Sequence, residues 1–573
     1  MYSKNNKNLD APSHWRRPDV LFASIVLNIT ALALPLVILQ VYDRILPNKA
    51  LDTFALMISA LIFATVIEVF LRIARSTILA WKGAQYEHAT SMELLDHVLH
   101  ADLVKFEGKT VGRYLNKVDA VKQIREFYSG QTILMLVDLP FVFVFLTLIW
   151  VFSQELVLVP LTVMAIFAVV SYVMGKQLKA TLNEKSDASE RKQNFLIEVL
   201  QGMHIVKSMA LEAPMMRRLE RLQGHSAQSI YDLSNINSVI QSVGATFSQV
   251  VMMCFVGIGS IYVVGGELTV GALAAGTMLS GRVMQPALKA MGLWTQLQGI
   301  SIAKEKIQEL KDIPLEAIDD QSDKMQINGD IEFDNVHFKH DQSDQELIKG
   351  VSLKIEQGET VGITGSNGSG KSTLIELLMG FMSPSEGVIK IDGRDIRTHD
   401  RSSMRAQIGY MPQHGVIFEG TILDNMTMFR EGAAVDRALD VANKIGLTEV
   451  IMRLPEGLDT KVSGTNYDSL PVGVRQQIIL VRSLVGCMSF GEPKIILFDD
   501  ADSSLDSRHD QMLIKLLTEL KEKYTMIIVS HRPSILQLCN RNYMIEDGDL
   551  IMLPWLSGQG QQKPQANEQS LSA

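Results

Sequence analysis

Long apolar segments fill the first half of this 573-residue chain, and they restrict its possible folds more than any other feature. A helix needs roughly 20 mainly apolar residues to cross the hydrocarbon core of a bilayer. The segments near that length lie at residues 20–41, 54–80, 132–152, 156–174, 239–264 and 268–291, the last being the least apolar. The sequence therefore predicts an all-α transmembrane domain of six helices over residues 20–315.

The orientation of these spans follows from the distribution of basic residues. Such residues crowd the segments after the second and fourth spans, at Lys105, Lys109, Arg113, Lys117, Lys122 and Arg125 and at Lys176, Lys179, Arg191, Lys192 and Arg217. The connections on the opposite side are short and carry only Arg44 and Lys49. Because basic residues mark cytoplasmic loops, the two long segments and residues 1–19 are predicted to be cytoplasmic.

The cytoplasmic segments have helical periodicity, for example at Leu196, Val199, Leu200 and Met203. We expect the spans to continue inward as long helices, with the stretch around residues 209–211 as a candidate contact for a cytoplasmic motor. Ordinary solvated helical hairpins are the alternative. Arg16 and Arg17 precede the first apolar run as in a signal peptide, but no small-residue cleavage site follows, so a retained first helix is expected.

Composition narrows the possible partners. Hydrophobic residues make up 47% of the chain, and 54 basic against 63 acidic residues give a formal charge of -9, which disfavours a nucleic-acid partner. The three cysteines, Cys254, Cys487 and Cys539, lack metal-ligand spacing and are interpreted as free thiols.

Charged residues inside the spans are costly and need an explanation. Glu68 and Arg72 are one helical turn apart in the second span and are able to pair. Arg282 lies in the sixth span, where a polar translocation path and snorkelling to the interface are both open interpretations.

A phosphate-binding motif opens the second half of the chain. A charged helix at residues 302–311, Pro314 and an acidic run around Asp319 lead to a soluble domain predicted over residues 329–553. An apolar strand at residues 360–364 is followed by Gly365, Ser366, Asn367, Gly368, Ser369, Gly370, Lys371 and Ser372, and then by a helix from Thr373. This strand, loop and helix predict a P-loop.

The residue types suit ATP with Mg²⁺. Glycines let backbone N–H groups surround phosphates, and the helix N-terminus adds positive potential. Lys371 is predicted to reach the β- and γ-phosphates, and the Ser372 hydroxyl to bind Mg²⁺.

Two further strands supply candidate catalytic residues. The apolar run at residues 494–498 ends at Asp499, where a doubly wound sheet places ligands, so Asp499 is predicted to hold the metal. Asp500 follows at the position of a general base for attacking water. A strand at residues 525–529 precedes His531, a candidate sensor of the γ-phosphate.

With these motifs, almost the whole chain resembles an ATP-binding-cassette (ABC) exporter, and more narrowly the permease/ATPase of type I protein secretion. Tyr410-Met411-Pro412-Gln413 resembles the Q-loop, residues 503–506 resemble the D-loop, and His531 the switch histidine. The resemblance implies a catalytic and metal-contacting role for Gln413. Residues 41–48, 124–127, 266–271 and 278–283 resemble the type I secretion branch.

The resemblance also implies the cellular setting. It implies a dimer with a second half-transporter in the inner membrane of a Gram-negative cell. The cargo is then an unfolded polypeptide, passed to a periplasmic adaptor and an outer-membrane channel. Only about 19 residues precede the first span, so leader cleavage by this chain is not expected. Residues 554–573, rich in Gln, Ser, Gly and Asn, are predicted to be disordered.

Three positions depart from the family pattern. Leu470-Pro471-Val472-Gly473-Val474 stands where the family has the Leu-Ser-Gly-Gly-Gln signature, and only Gly473 and the following Arg475 and Gln476 keep the pattern. The resemblance implies that Leu470 and Gly473 contact the partner's nucleotide. Asp500 replaces the catalytic glutamate and is one methylene shorter, and His340 replaces the adenine-stacking tyrosine. We therefore expect ATP binding to be retained better than turnover.

Three functions stay open on the sequence. The leading one is ATP-driven export of a polypeptide through weakened ATPase sites. The second is a regulatory half of a heterodimeric exporter that binds ATP with little hydrolysis. The third is export of lipids or small amphiphiles by the same architecture.

Overall fold

The structure is a computed structural model that describes residues 18–107, 111–129, 134, 138–316, 326–340, 343, 345–413, 415–462, 470–488, 494–502, 507–521 and 523–553. The chain divides into two compact units, the first reaching Pro314 apart from residues 102–104 and the second running from Leu315. The predicted tail, residues 554–573, and most of the predicted N-terminal segment lie outside the described residues.

Helices make up almost all of the described chain up to Lys311. They are α1 (Pro18–Thr30), α2 (Ala33–Gln40), α3 (Leu46–Asn48), α4 (Leu51–Leu99), α5 (Leu103–Glu107), α6 (Val111–Ser129), α7 (Phe141–Ser153), α8 (Leu158–Gln201), α9 (Met203–Ser208), α10 (Glu212–Val264) and α11 (Val270–Lys311). A π-helical segment, Val41–Ile45, joins α2 to α3, and a 3₁₀ turn, Gln154–Val157, joins α7 to α8.

Four helical stretches of the described chain are long and apolar enough to cross a membrane, namely Pro18–Asn48, Leu51–Leu99, Phe141–Val173 and Glu212–Val264. The third stretch contains residues 141–152 of the third predicted span and residues 156–173 of the fourth, and the 3₁₀ turn lies where they meet. With 49, 44 and 53 residues, α4, α8 and α10 far exceed the length of a crossing. The predicted helical transmembrane domain with long helices is confirmed. The sixth predicted span, residues 268–291, lies almost wholly in α11, which is not among these four stretches, so the number of six spans stays a prediction.

Apolar packing holds the spans together. Phe145 and Ile149 of α7, Phe255 of α10 and Leu279 of α11 form one buried cluster. A Cβ on Gly276 would lie 2.7 Å from the Phe255 ring, so α11 approaches α10 closely only because this residue is glycine. Small residues at helix contacts are the usual means of close packing in lipid.

The first and last spans are connected by a carboxylate. Asp43, in the π-helical segment, accepts a hydrogen bond from the Thr269 hydroxyl at 2.7 Å and another from the Gly271 N–H at 2.9 Å. Thr269 is also the N-cap of α11 and accepts from Ala272 N. A Cβ on Gly271 would lie 2.5 Å from Asp43 Oδ1, so the contact requires glycine. The Asp43 carboxylate thus binds the N-terminus of a long helix, where negative charge is favourable.

Asp43→Asn should therefore destabilise the helical unit by roughly 1 kcal/mol, because one of two accepting oxygens becomes a donor and the charge at the helix terminus is lost. The thermal unfolding midpoint of the full-length protein in detergent measures this effect. Asp187→Asn, at an exposed position in the interior of α8 and far from either helix end, is the matched control and should leave the midpoint unchanged. Equal midpoints for both variants would contradict the assigned role of Asp43.

The second unit is an α/β domain. Its strands are β1 (Ile331–Phe338), β2 (Ile348–Ile355), β3 (Thr360–Gly365), β4 (Glu386–Ile391), β5 (Arg394–Asp395), β6 (Ile408–Met411), β7 (Gly420–Thr421), β8 (Lys461–Val462), β9 (Ile495–Asp499), β10 (Thr525–Val529), β11 (Arg541–Glu546) and β12 (Asp549–Met552). Its α-helices are α12 (Lys371–Leu378), α13 (Arg401–Arg405), α14 (Ile422–Thr427), α15 (Ala433–Lys444), α16 (Leu447–Ile451), α17 (Val472–Met488), α18 (Ser507–Leu520) and α19 (Pro533–Leu536).

A six-stranded sheet in the order β12-β11-β3-β10-β9-β6 forms the centre of this unit, and all its neighbouring pairs except β11 with β12 are parallel. Every residue of β9 and β10 is buried, which explains why these strands read as continuous apolar runs. Separate sheets have the orders β2-β1-β4-β5 and β7-β8. The C-terminal ends of β3, β9 and β10 therefore share one edge, where ligands bind in such sheets.

Candidate nucleotide-binding site

The loop between β3 and α12 has the backbone conformation of a phosphate cradle. Gly365 and Gly370 have φ of 152° and 101°, a region that other residues rarely adopt. A Cβ on Gly365 would lie 2.5 Å from the Ile545 carbonyl oxygen, and one on Gly370 would lie 2.8 Å from Ile348 Cδ1. The loop backbone thus approaches its neighbours in a way that only glycine allows, as the sequence predicts for a P-loop.

Lys371 begins α12 and is buried. Its Nζ donates to the carbonyl oxygens of Gly365 and Ser366, each at 2.9 Å. The Ser369 hydroxyl is buried in the same loop and has no hydrogen-bond partner. A bound phosphate would accept hydrogen bonds from the Lys371 ammonium group, which spans the loop, and from the unpaired Ser369 hydroxyl. These residues therefore fit a nucleotide.

The metal-binding pair predicted from the sequence is adjacent in space. The Ser372 hydroxyl donates to Asp499 Oδ1 at 3.0 Å, and Asp499 ends the buried strand β9. Magnesium prefers oxygen ligands and is usually held by one or two carboxylates together with substrate phosphates. No cluster of three or more potential metal ligands occurs among the described residues, and such a cluster is not needed for a metal held in this way.

Tyr410, which the sequence analysis placed in the Q-loop motif without a role, supports Asp499. It lies on β6 next to β9, and its hydroxyl hydrogen-bonds the Asp499 carboxylate. Burial, followed by the negative charges of Asp499 and Glu376, raises the pKa of Tyr410 well above its usual value. The hydroxyl therefore remains protonated and acts as a donor that orients the carboxylate.

Tyr410→Phe should raise the Mg²⁺ concentration at half-maximal ATP binding by about 10-fold or more. The reason is that hydrogen bonds to a metal-binding carboxylate contribute roughly 10- to 100-fold to metal affinity. Titrating Mg²⁺ at fixed ATP and following bound nucleotide by fluorescence tests this expectation. Tyr543→Phe removes a hydroxyl that contacts Arg541 instead, and serves as the control. The role is wrong if the two variants have the same Mg²⁺ midpoint.

The two candidate catalytic side chains also meet. His531 Nε2 lies 3.6 Å from Asp500 Oδ2, and Asp500 has a left-handed backbone with φ of 43°. The backbone N–H of Asp500 donates to Val529 O, which holds this turn against β10. Sequence order alone does not reveal this pair, because the two residues come from different strands.

A buried polar network lies behind His531. Asp502 accepts from the Ser530 hydroxyl at 3.0 Å and lies 3.3 Å from Arg532 Nε, while Arg532 also contacts Asp510. Burial raises the pKa of Asp502. These contacts fix the backbone on both sides of His531, and no motif in the sequence pointed to them.

The signature position opens α17. Leu470 and Val474 are buried in the apolar core, whereas Pro471 is exposed and Val472 is 56% exposed. The exposed residues at this helix start are therefore those that lack the hydroxyl and the glycine of the family pattern. Gln476 on the same helix donates to the Pro412 carbonyl at 3.2 Å and links α17 to the segment that carries Gln413.

Two predicted residues, Gln413 and His340, have no described contact with the P-loop. Gln413 lies two residues after β6 and shares no described hydrogen bond with Ser372 or Asp499. His340 is exposed, with its ring edge-on to Phe338 at 5.0 Å. Their roles, and that of Gly473, stay predictions, and the D-loop residues 503–506 lie outside the described residues.

Comparisons with known proteins agree with both units. The family model of the ABC transporter transmembrane region matches residues 20–288, and that of the ABC transporter matches residues 348–503. The cyclolysin secretion/processing ATP-binding protein CyaB of Bordetella pertussis (Tohama I) is 30% identical over 93% of this chain and 74% of its own length. The alpha-hemolysin translocation ATP-binding protein HlyB of Escherichia coli O157:H7 is 30% identical over 92% and 74%.

A leukotoxin translocation ATP-binding protein LktB of Mannheimia haemolytica is 30% identical over 93% of this chain and 74% of its own length. Among solved structures, an ATP-bound bacterial Atm1-family ABC exporter superimposes with a TM-score of 0.82 at 23% identity, covering 93% of this chain and 94% of that one. This likeness supports the fold. The chain belongs to the ABC exporter family and is a half-transporter of the inner membrane with an ATP-binding ATPase unit in the cytoplasm.

Proposed function

We propose that this chain is the inner-membrane permease/ATPase of a type I secretion system, and that it exports an unfolded polypeptide with Mg-ATP as its energy source. The observation that carries the ATPase part is the convergence of Lys371, Ser372 and Asp499 at one edge of the sheet. Similarity over both units to proteins named for secretion of cyclolysin and translocation of alpha-hemolysin supports the cargo class.

The chemistry of the site follows from its side chains. Lys371 and the loop N–H groups would hold the phosphates, and Ser372 and Asp499 would hold Mg²⁺, which would neutralise phosphate charge. Asp500 accepts the proton of the attacking water, and His531 beside it contacts the γ-phosphate. The shorter Asp500 side chain and the exposed Pro471 and Val472 support slow turnover.

As in the family, such a chain works as a dimer, with the signature of one subunit facing the nucleotide of the other. A periplasmic adaptor and an outer-membrane channel would receive the cargo. The domain limits that we propose are residues 20–315 for the transmembrane part and 329–553 for the nucleotide-binding part.

ATP turnover by the full-length protein in proteoliposomes tests the cargo class. Reduced, carboxymethylated α-lactalbumin, which is unfolded, should stimulate turnover, whereas the same protein in its native fold should not. Stimulation by phospholipid or detergent-like amphiphiles with no response to the unfolded protein would instead support the lipid-exporter function.

The altered signature favours a second candidate, the regulatory half of a heterodimer. Pro471 and Val472 are exposed at the start of α17, where they would face a partner's nucleotide. In such a pair this chain would give Asp500 to one composite site and its altered signature to the other. Brisk ATP hydrolysis by the chain purified alone would contradict this second candidate.

A further inference from the structure

A polar cavity of about 540 Å³ lies among the spans. Among the residues that the structure describes, its lining comes from α1 and Ala31, from α4, from α7 and the residues before it, and from α11. Nine of these fifteen lining residues have polar side chains. This volume is within the range of ligand sites. A hydrophilic lining of this extent inside a membrane domain is unfavourable unless it serves a ligand or a transport path.

The cavity lies toward the cytoplasmic side. The second span is predicted to end inside near residue 80 and the third to begin inside near residue 132. Arg75 and Asp138 therefore belong to the inner half of the bilayer. A solute that comes from the cytoplasm would reach the cavity before it reaches the outer half of the spans.

Two charged pairs on the cavity wall are internally balanced. Arg72 pairs with Glu68 one turn earlier on α4. Arg75 Nη1 lies 3.4 Å from Asp138 Oδ1 and donates to the Ser24 hydroxyl at 2.7 Å. Each pair contributes no net charge to the cavity.

Two arginines on the cavity wall have donor groups without a described hydrogen-bond partner. Arg75 is nine-tenths buried, and its Nε has no hydrogen-bond partner. Arg282 is half-buried on the wall and makes no hydrogen bond or ion pair with any described residue. Three arginines thus face two carboxylates, so the described lining carries one surplus positive charge. An unbalanced charge in a span is costly and points to a functional partner.

We propose that this cavity binds carboxylate side chains of the exported polypeptide, with Arg282 as the principal contact and Arg75 Nε as a second donor. The inference rests on the proposed polypeptide cargo. Arginine presents paired donors that match a carboxylate, and hydrogen bonds to charged groups are the stronger ones. The predominance of polar lining favours a hydrophilic chain over an acyl-bearing lipid.

Binding of two labelled peptides tests the proposal. One is an unstructured 20-residue peptide with four glutamates, and the other is the same peptide with glutamines. Fluorescence anisotropy with the full-length protein in phosphatidylcholine nanodiscs should show at least about tenfold tighter binding of the glutamate peptide, as expected from one charged hydrogen bond.

Arg282→Gln should reduce this preference to less than about threefold, and Arg282→Lys should retain part of it. Arg191→Gln removes an exposed arginine of α8 outside the cavity and should keep the full preference. Arg282 is the chosen position because its substitution breaks no contact among the described residues. Retained binding of ATP by each variant shows that the protein is folded.

Equal affinity for the two peptides in the unsubstituted protein would overturn the carboxylate site but leave polypeptide export standing. No binding of either peptide by an ATP-competent sample would overturn the polypeptide cargo. A further measurement replaces phosphatidylcholine with phosphatidylglycerol in the nanodiscs. If this abolished peptide binding by the unsubstituted protein but not by the Arg282→Gln variant, it would assign the cavity to a lipid headgroup and overturn the proposal.

Discussion

Lys371→Met is expected to lower ATP turnover by roughly 10²- to 10³-fold, the usual effect of removing one preorganised donor to developing phosphate charge. Lys371 Nζ already lies across the mouth of the loop, 2.9 Å from two backbone oxygens, so it needs no rearrangement of the backbone to reach a phosphate. Nucleotide affinity, measured with a fluorescent ATP analogue, should fall together with turnover.

Lys515→Met is the matched control, because Lys515 is exposed on α18 and has no described contact with the loop. It should leave both affinity and turnover unchanged. Circular dichroism without nucleotide separates loss of binding from loss of folding, since the variant also leaves the carbonyls of Gly365 and Ser366 without their donor. Full ATP binding by a folded Lys371→Met variant would contradict the site.

Substitution of Asp500 should have the second-largest effect. Asp500→Asn should lower the residual turnover by about 100-fold while ATP affinity stays constant, because the amide no longer accepts the proton of water. Asp500→Glu should raise turnover, since it restores the missing methylene, and a displacement of about 1 Å can cost roughly 100-fold. Single-turnover ATP hydrolysis measures both changes.

Asp436→Asn, at an exposed position of α15, controls for the loss of one carboxylate. An Asp500→Asn variant with unchanged turnover would show that this chain contributes no base, and would favour the regulatory half-transporter. A rise with Asp500→Glu that depends on a partner chain would support a heterodimer with composite sites.

Much of the fold was predictable from apolar runs and motifs that are continuous in the sequence. The spans are recognisable because a bilayer demands about 20 apolar residues in succession. The strands before Gly365 and Asp499 are recognisable because buried parallel strands are continuously apolar. The P-loop was predictable because glycine conformation and phosphate binding depend on local sequence. Membership of the ABC exporter family followed from these linear motifs.

Contacts between residues distant in sequence could not be predicted in this way. Asp43 was known only as part of a motif until packing placed it 2.9 Å from the Gly271 N–H. Tyr410 acquired a role only because β6 pairs with β9 and brings it to Asp499. The proximity of His531 to Asp500 likewise depends on the order of strands in the sheet.

The signature segment illustrates the division most clearly. Its departure from the family pattern is visible in the order of residues 470–474, and so is the expectation of slow turnover. Which of these side chains are available to a nucleotide depends on how α17 packs, because burial is a property of neighbours and not of order. Val474 faces the core and Val472 faces out. Packing of neighbouring helices likewise makes Arg282 part of a charged cavity wall, whereas in the sequence it is an isolated charge in an apolar run.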